Sequence, residues 1–174
     1  MDQNIHRGFV SELFEIVRLI TIIASRKLNF QHVLAFLAFL TFGVGDAVTG
    51  AHMMNSVGMG IEANPIIKHL YMNYGTAGMV LGKMLFTLAM ILGALFMQWA
   101  SSEKMYWTVN GFLVAITAGG LMAINANLTA TAGLIPTAPG TIIFIYLSLV
   151  LVLTQIGGYV DKQTTEMGTY RTGY

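Results

Sequence analysis

Asp46 and Lys83 are the residues from which chemistry could be built, because each falls inside a long apolar run. A charge at the centre of a bilayer costs about 2.5–3.5 kcal/mol on insertion scales, so an acid and a base kept at that depth are expected to meet. Thr49 follows Asp46 by three residues and His52 follows by three more, which sets both along the same helix as the acid. Between the two charges the chain reads GIEANP, a turn that carries Glu62, Asn64 and Pro65. Asn125, late in a third apolar run, adds an amide. The candidate polar site within the membrane is therefore Asp46, Thr49, His52, Lys83 and Asn125, beneath a cap motif of Glu62, Asn64 and Pro65. Such an Asp–Lys pair either fixes helix register as a structural ion pair or forms a working polar site.

Other chemistries are less well furnished. Asp46, His52 and Glu62 are hard or borderline ligands for a divalent metal, and the run HMMNSVGM from His52 offers imidazole and thioethers to copper. Methionines scattered through apolar helices are more often packing filler, so no cofactor is expected and a metal is a minor alternative. With no cysteine there is no thiolate nucleophile, thiolate metal site or disulfide framework. His-Glu-x-x-His, a rhomboid-type Gly-Ser motif and a phosphate loop are all absent, which points away from an intramembrane protease or a nucleotide-driven enzyme.

The elements that must position these residues follow from composition. Hydrophobic residues make up 55% of the chain and charged residues 10%, with a mean hydropathy of +0.67. A soluble domain has about a quarter of its residues charged. The predicted class is all-α, an integral-membrane four-helix bundle. Its spans are read at about 33–54, 76–99, 106–128 and 140–160, each near the roughly 20 residues that cross a bilayer. Residues 1–29 are expected to hold an amphipathic helix, with Glu12, Glu15 and Arg18 along a polar stripe, that lies in the interface or packs on the cytoplasmic ends of its own bundle, and residues 161–174 to form a polar tail. The four-helix domain occupies residues 30–160.

Arg7, Arg18, Arg26, Lys27, Lys104, Lys162 and Arg171 all fall on one side of this arrangement, and Lys68 alone falls in a loop on the other. Positive residues favour the cytoplasm, so a multi-pass protein of the cell membrane with both termini cytoplasmic is predicted. At a rise of about 1.5 Å per residue, Asp46 lies roughly 12 Å below the outer end of the first span and Lys83 roughly 10 Å below that of the second. The two charges then share one level, and a short extracytoplasmic cap helix after Pro65 covers them. Small residues recur at Gly111, Ala115, Gly119 and Ala123, a ridge that lets helices pack closely in lipid. Gly157 and Gly158 are read as loosening the exit of the last helix.

Asp46 with Thr49, the GIEANP turn, Gly75 and Lys83 together make the chain resemble DUF5658, a family of small prokaryotic membrane proteins without an assigned reaction. The resemblance covers about 34–128, and Asn125 falls where such proteins often carry an asparagine. It implies a three-helix core, to which the leading interfacial helix and the fourth span are additions. It also marks Asp46, Thr49, Glu62, Asn64, Pro65 and Lys83 as the positions of interest.

Two classes of function are compatible with these residues. One is a non-catalytic accessory or assembly subunit docked through lipid-facing helices on other integral-membrane subunits. The other is a homo-oligomer that handles a small solute or ion at the Asp46–Lys83 level. A net charge of +1 gives no reason to expect a nucleic-acid partner.

Overall fold

A computed structural model describes residues 29–62 and 64–171, with side chains described through Glu166. The interfacial helix expected before residue 26 lies outside the described residues. The chain divides into two compact units, Met1–Val33 and Leu34–Tyr174. In the first, Asn29 opens a helix by a reciprocal cap: its Oδ1 accepts from the His32 amide at 3.0 Å while its own amide donates to His32 Nδ1 at 3.3 Å.

Four helices are long and apolar enough to cross a membrane. The first, α1, spans Phe30–Val57 and contains a π-helical stretch, Phe39–Gly45, immediately before Asp46. There the Asp46 amide donates to the Thr41 carbonyl, five residues back. A π turn inserts one extra residue, which rotates everything after it by about 100° relative to an unbroken α-helix. Gly58, at φ 107°, ends α1, and a single 3₁₀ turn, Met59–Ile61, leads into the cap.

Helix α2, Pro65–Ala100, has a sharp kink at Gly75, whose φ of 66° and ψ of −167° are not helical. Glycine alone visits that region without steric cost. The kink separates a cap arm, residues 65–74, from a membrane arm, residues 76–100. Asn64 is the N-cap of the cap arm, its side chain accepting from the Ile66 amide at 3.0 Å, and Pro65 occupies the first helical position, where a missing N–H costs nothing. The arm folds back on the helix it leads into, so that a Cβ on Gly82 would come within 2.6 Å of Leu70. Tyr71 OH, on the cap arm, and Thr76 Oγ1, just past the kink, both donate to Asn55 Oδ1 on α1, which ties the cap down.

Helices α3, Tyr106–Thr131, and α4, Pro139–Arg171, complete the set. The polar tail expected from residue 161 is helical as far as Arg171, a direct extension of α4. Asp161 explains that extension: buried, it accepts from the Trp107 amide (2.9 Å), the Thr108 amide (2.9 Å) and Thr108 Oγ1 (2.8 Å). It thus supplies from α4 the cap that the N-terminus of α3 lacks in its own sequence. Gly157 does not loosen the helix. A Cβ there would lie 2.3 Å from the Trp107 carbonyl oxygen, and one on Gly111 would lie 2.3 Å from that of Leu153, so both glycines bring the α3 and α4 backbones together.

The helices pack in the order α2, α1, α3, α4, with α2 and α4 meeting at most marginally. Leu34, Ala38, Ile91, Leu113 and Ile116 belong to one apolar cluster; Ala51, Met54, Ile67, Met79 and Ala130 belong to a second at the cap end. Asp46 and Lys83 lie at a level between them. Gly120 seats α3 on the π stretch of α1, where a Cβ would come within 2.5 Å of the Phe42 amide nitrogen.

Candidate functional site

Asp46 and Lys83, expected at one level from their depth below the span ends, do meet: Lys83 Nζ lies 2.7 Å from Asp46 Oδ2. Their side chains are 11% and 14% exposed respectively. Each charge neutralises the other in surroundings that solvate ions poorly, where their attraction is stronger than at an aqueous surface but is set against the cost of desolvating both. Asn127 on α3 completes the cluster. Its Nδ2 donates to Asp46 Oδ1 at 3.0 Å and to Thr49 Oγ1 at 3.1 Å, and Thr49 in turn donates to the Gly45 carbonyl at 2.8 Å. Both carboxylate oxygens of Asp46 are therefore engaged, one by an ammonium and one by an amide. Gly50 lies against the cluster, where a Cβ would sit 3.4 Å from both Lys83 Nζ and Asn127 Nδ2.

Three helices thus contribute to one polar point. The π stretch sets the angle at which α1 presents Asp46. The kink at Gly75 starts the membrane arm two turns above Lys83, and Thr87 Oγ1 donates to the Lys83 carbonyl at 2.9 Å.

The remaining predicted residues divide. Thr49 joins the cluster through Asn127. His52 is exposed, since it stands about 240° around the helix from Asp46 at 100° per residue. Asn125 is also exposed; two residues along α3 from Asn127, it faces nearly the opposite way. The amide that meets the acid is Asn127. A signal for it lies in the sequence, because Asn127 continues the four-residue ladder of Ala115, Gly119 and Ala123. Glu62 is half-buried and its Oε1 accepts from the Asn64 amide at 2.9 Å. Among the described residues it forms no ion pair or hydrogen bond with Lys83 or His52. No three His, Cys, Asp or Glu side chains converge among the described residues, so Asp46, His52 and Glu62 are not assembled as a metal-ligand set.

A cavity of about 710 Å³ joins the cluster to the cap. Asp46, Lys83, Thr87 and Asn127 lie on its wall together with Glu62 and Asn64 from the turn. Ile67 and Leu70 of the cap arm, Phe42 of α1, Ala123 and Ala126 of α3, and Ile142 and Ile143 of α4 supply apolar surface, and Pro136 and Thr137 come from the α3–α4 loop. Apolar walls with a few polar groups are the usual make-up of small-molecule sites, whose volumes run about 300–1,000 Å³.

Residues 37–133 match a family model described as Domain of unknown function (DUF5658). No curated protein and no solved structure matches the chain. The matched stretch starts within α1 and ends just beyond α3, so it holds the acid, the base, the amide and the whole cap, and leaves out α4. With more than half of its 174 residues covered by that match, the chain belongs to the DUF5658 family.

Proposed function

We propose that the protein is a small-solute-handling membrane protein whose binding site is the capped cavity over Asp46, Lys83 and Asn127. One observation carries this reading: the buried ion pair is part of the wall of a cavity of about 710 Å³ rather than being sealed in packing. A pair that only fixed helix register would need no open space beside it. The topology predicted from the basic residues turns the cap and the cavity toward the outside. The site handles its ligand by binding; an acid and a base already neutralising each other are not arranged as nucleophile and general base.

An accessory-subunit role is the second reading. It is favoured by α4, which packs on α3 and has only 6% of its apolar window buried, against 39% for α3. Lipid alone satisfies such a flank, so the cavity outweighs it. Native mass spectrometry of gently solubilised membranes separates the two. The solute reading expects copies of this chain alone, carrying a small-molecule adduct that disappears when the cavity is filled at Ala126. A stoichiometric complex with other integral-membrane chains and no such adduct would transfer the conclusion to the accessory role.

A further inference from the structure

The charges around the cavity do not balance. Asp46 and Glu62 bring two carboxylates to its wall and Lys83 brings one ammonium, already spent on Asp46. Lys68 and His69 belong to the same cap arm but are not part of that wall. Among the described residues Glu62 has no ion-pair partner, and the one hydrogen bond it accepts comes from a neutral backbone amide. A lone carboxylate beside apolar surface favours a cation over an anion, because desolvation strengthens its field.

The shape of the cavity says what the cation is attached to. Phe86 of α2 and Ile143 of α4 line it, and both side chains are more than half exposed. Since α2 and α4 scarcely meet, the space between these two side chains is a side opening within the spanning part of the helices. A water-soluble ion has no use for such an opening, whereas a molecule already dissolved in the bilayer does.

We propose that the cavity takes an amphipathic cation, a single aliphatic chain bearing an amine, which slides in from the lipid between α2 and α4 and sets its ammonium beside Glu62. The inference rests on the solute-binding reading above and names the ligand class for that site. The chain lies along Phe42, Leu70 and Ile142, and the Asp46–Lys83–Asn127 cluster, neutral as a whole, closes the inner end. Glu62 determines the sign of the ligand, and the side opening determines that it is lipid-soluble.

The chain has no cysteine, so Ala126→Cys introduces a unique thiol on the cavity wall. The full-length variant, in phosphatidylcholine nanodiscs, is alkylated with N-ethylmaleimide in the presence of dodecylamine, dodecanol or dodecanoate. Leu92→Cys, exposed on the same helix as Phe86 but away from the cavity, reports any general effect of the amphiphile on the bilayer. Dodecylamine is expected to slow alkylation at Ala126→Cys, leave Leu92→Cys unchanged, and act at about one-tenth the concentration that dodecanoate needs, a difference equal to about 1.4 kcal/mol. Adding Glu62→Gln should abolish that preference while leaving the thiol reactive. Equal protection by dodecanoate or dodecanol would overturn the amine assignment and leave the cavity as a binding site. A thiol that reacts freely and is protected by none of the three would overturn the lipid-soluble ligand class. A thiol at Ala126→Cys that never reacts, in a protein that is otherwise folded, would remove the cavity and with it both readings.

Discussion

At the scale of single residues, Asp46 matters less as a charge than as the point where three helices agree. Lys83 and Asn127 each take one of its oxygens, so removing either partner leaves one of those oxygens without its partner in a largely buried site. Lys83→Met should destabilise the detergent-solubilised protein by about 3–5 kcal/mol, read as a fall in Tm, because it leaves a carboxylate that must either stay charged or take up a proton. The paired replacement Asp46→Leu with Lys83→Met should recover most of that stability and none of the binding. Asn127→Leu should cost about 1–3 kcal/mol, and Asn125→Leu almost nothing, since Asn125 is exposed. Equal losses at the two asparagines would contradict the assignment of Asn127 as the amide of the site. Asn110 is a different case: it is 3% exposed and, among the described residues, neither of its side-chain polar atoms has a hydrogen-bond partner. Asn110→Leu should therefore raise Tm, and a fall would show that the amide is satisfied in the membrane. The Asp46–Lys83 meeting was legible in the sequence because depth below a span end is a matter of counting residues. Asn127 was harder to choose, since two asparagines two residues apart differ only in helical phase.

At the scale of elements, the features that aim the site are the ones the sequence conceals. A hydrophobic run long enough to cross a bilayer is visible without knowing its internal geometry, and the four spans were legible for that reason. The π stretch Phe39–Gly45 has no such signature; FLTFGVG reads as ordinary apolar helix, and its cost is offset by contacts from α2 and α3 that lie far along the chain. The cap was legible for the opposite reason, because Asn64 before Pro65 is a local signal for a helix start. Asp161 and Gly157 show how long-range packing changes local meaning. In sequence they look like the end of a span and a weak point; in space they cap α3 and let α4 approach it. Gly157→Val should break the α3–α4 seam, costing about 1–3 kcal/mol or more through overpacking, and Asp161→Ala should cost about 1–2 kcal/mol by uncapping α3. Both losses should appear in Tm. A Gly157→Val protein as stable as the parent would mean that the two backbones do not approach this closely.

At the scale of the whole molecule, α1, α2 and α3 form the polar cluster, and α4 lies outside the stretch that matches the family. Helix α4 adds Ile142 and Ile143 to the cavity wall, and the loop before it adds Pro136 and Thr137. Without this helix the chain would keep the residues of the ion pair and lose one side of the cavity. The opening between α2 and α4 also explains why a four-helix protein with so little interior can still hold a site: the space is a cleft in the row of helices rather than a central pore. Composition made the membrane class legible, whereas the cavity was not, because it depends on two helices failing to touch. The proposed site is a cavity whose inner end is closed by Asp46, Lys83 and Asn127 and whose other end lies under the cap, which the basic residues predict to face outward. Single cysteines at Ala126, Ala138 and Ser101, treated in intact cells with a small membrane-impermeant thiol reagent, test it most directly. Ala138→Cys and, more slowly, Ala126→Cys should react from outside, while Ser101→Cys should react only once the cells are opened. Outside reaction at Ser101→Cys, or an Ala126→Cys that reacts only from the cytoplasmic side, would contradict it.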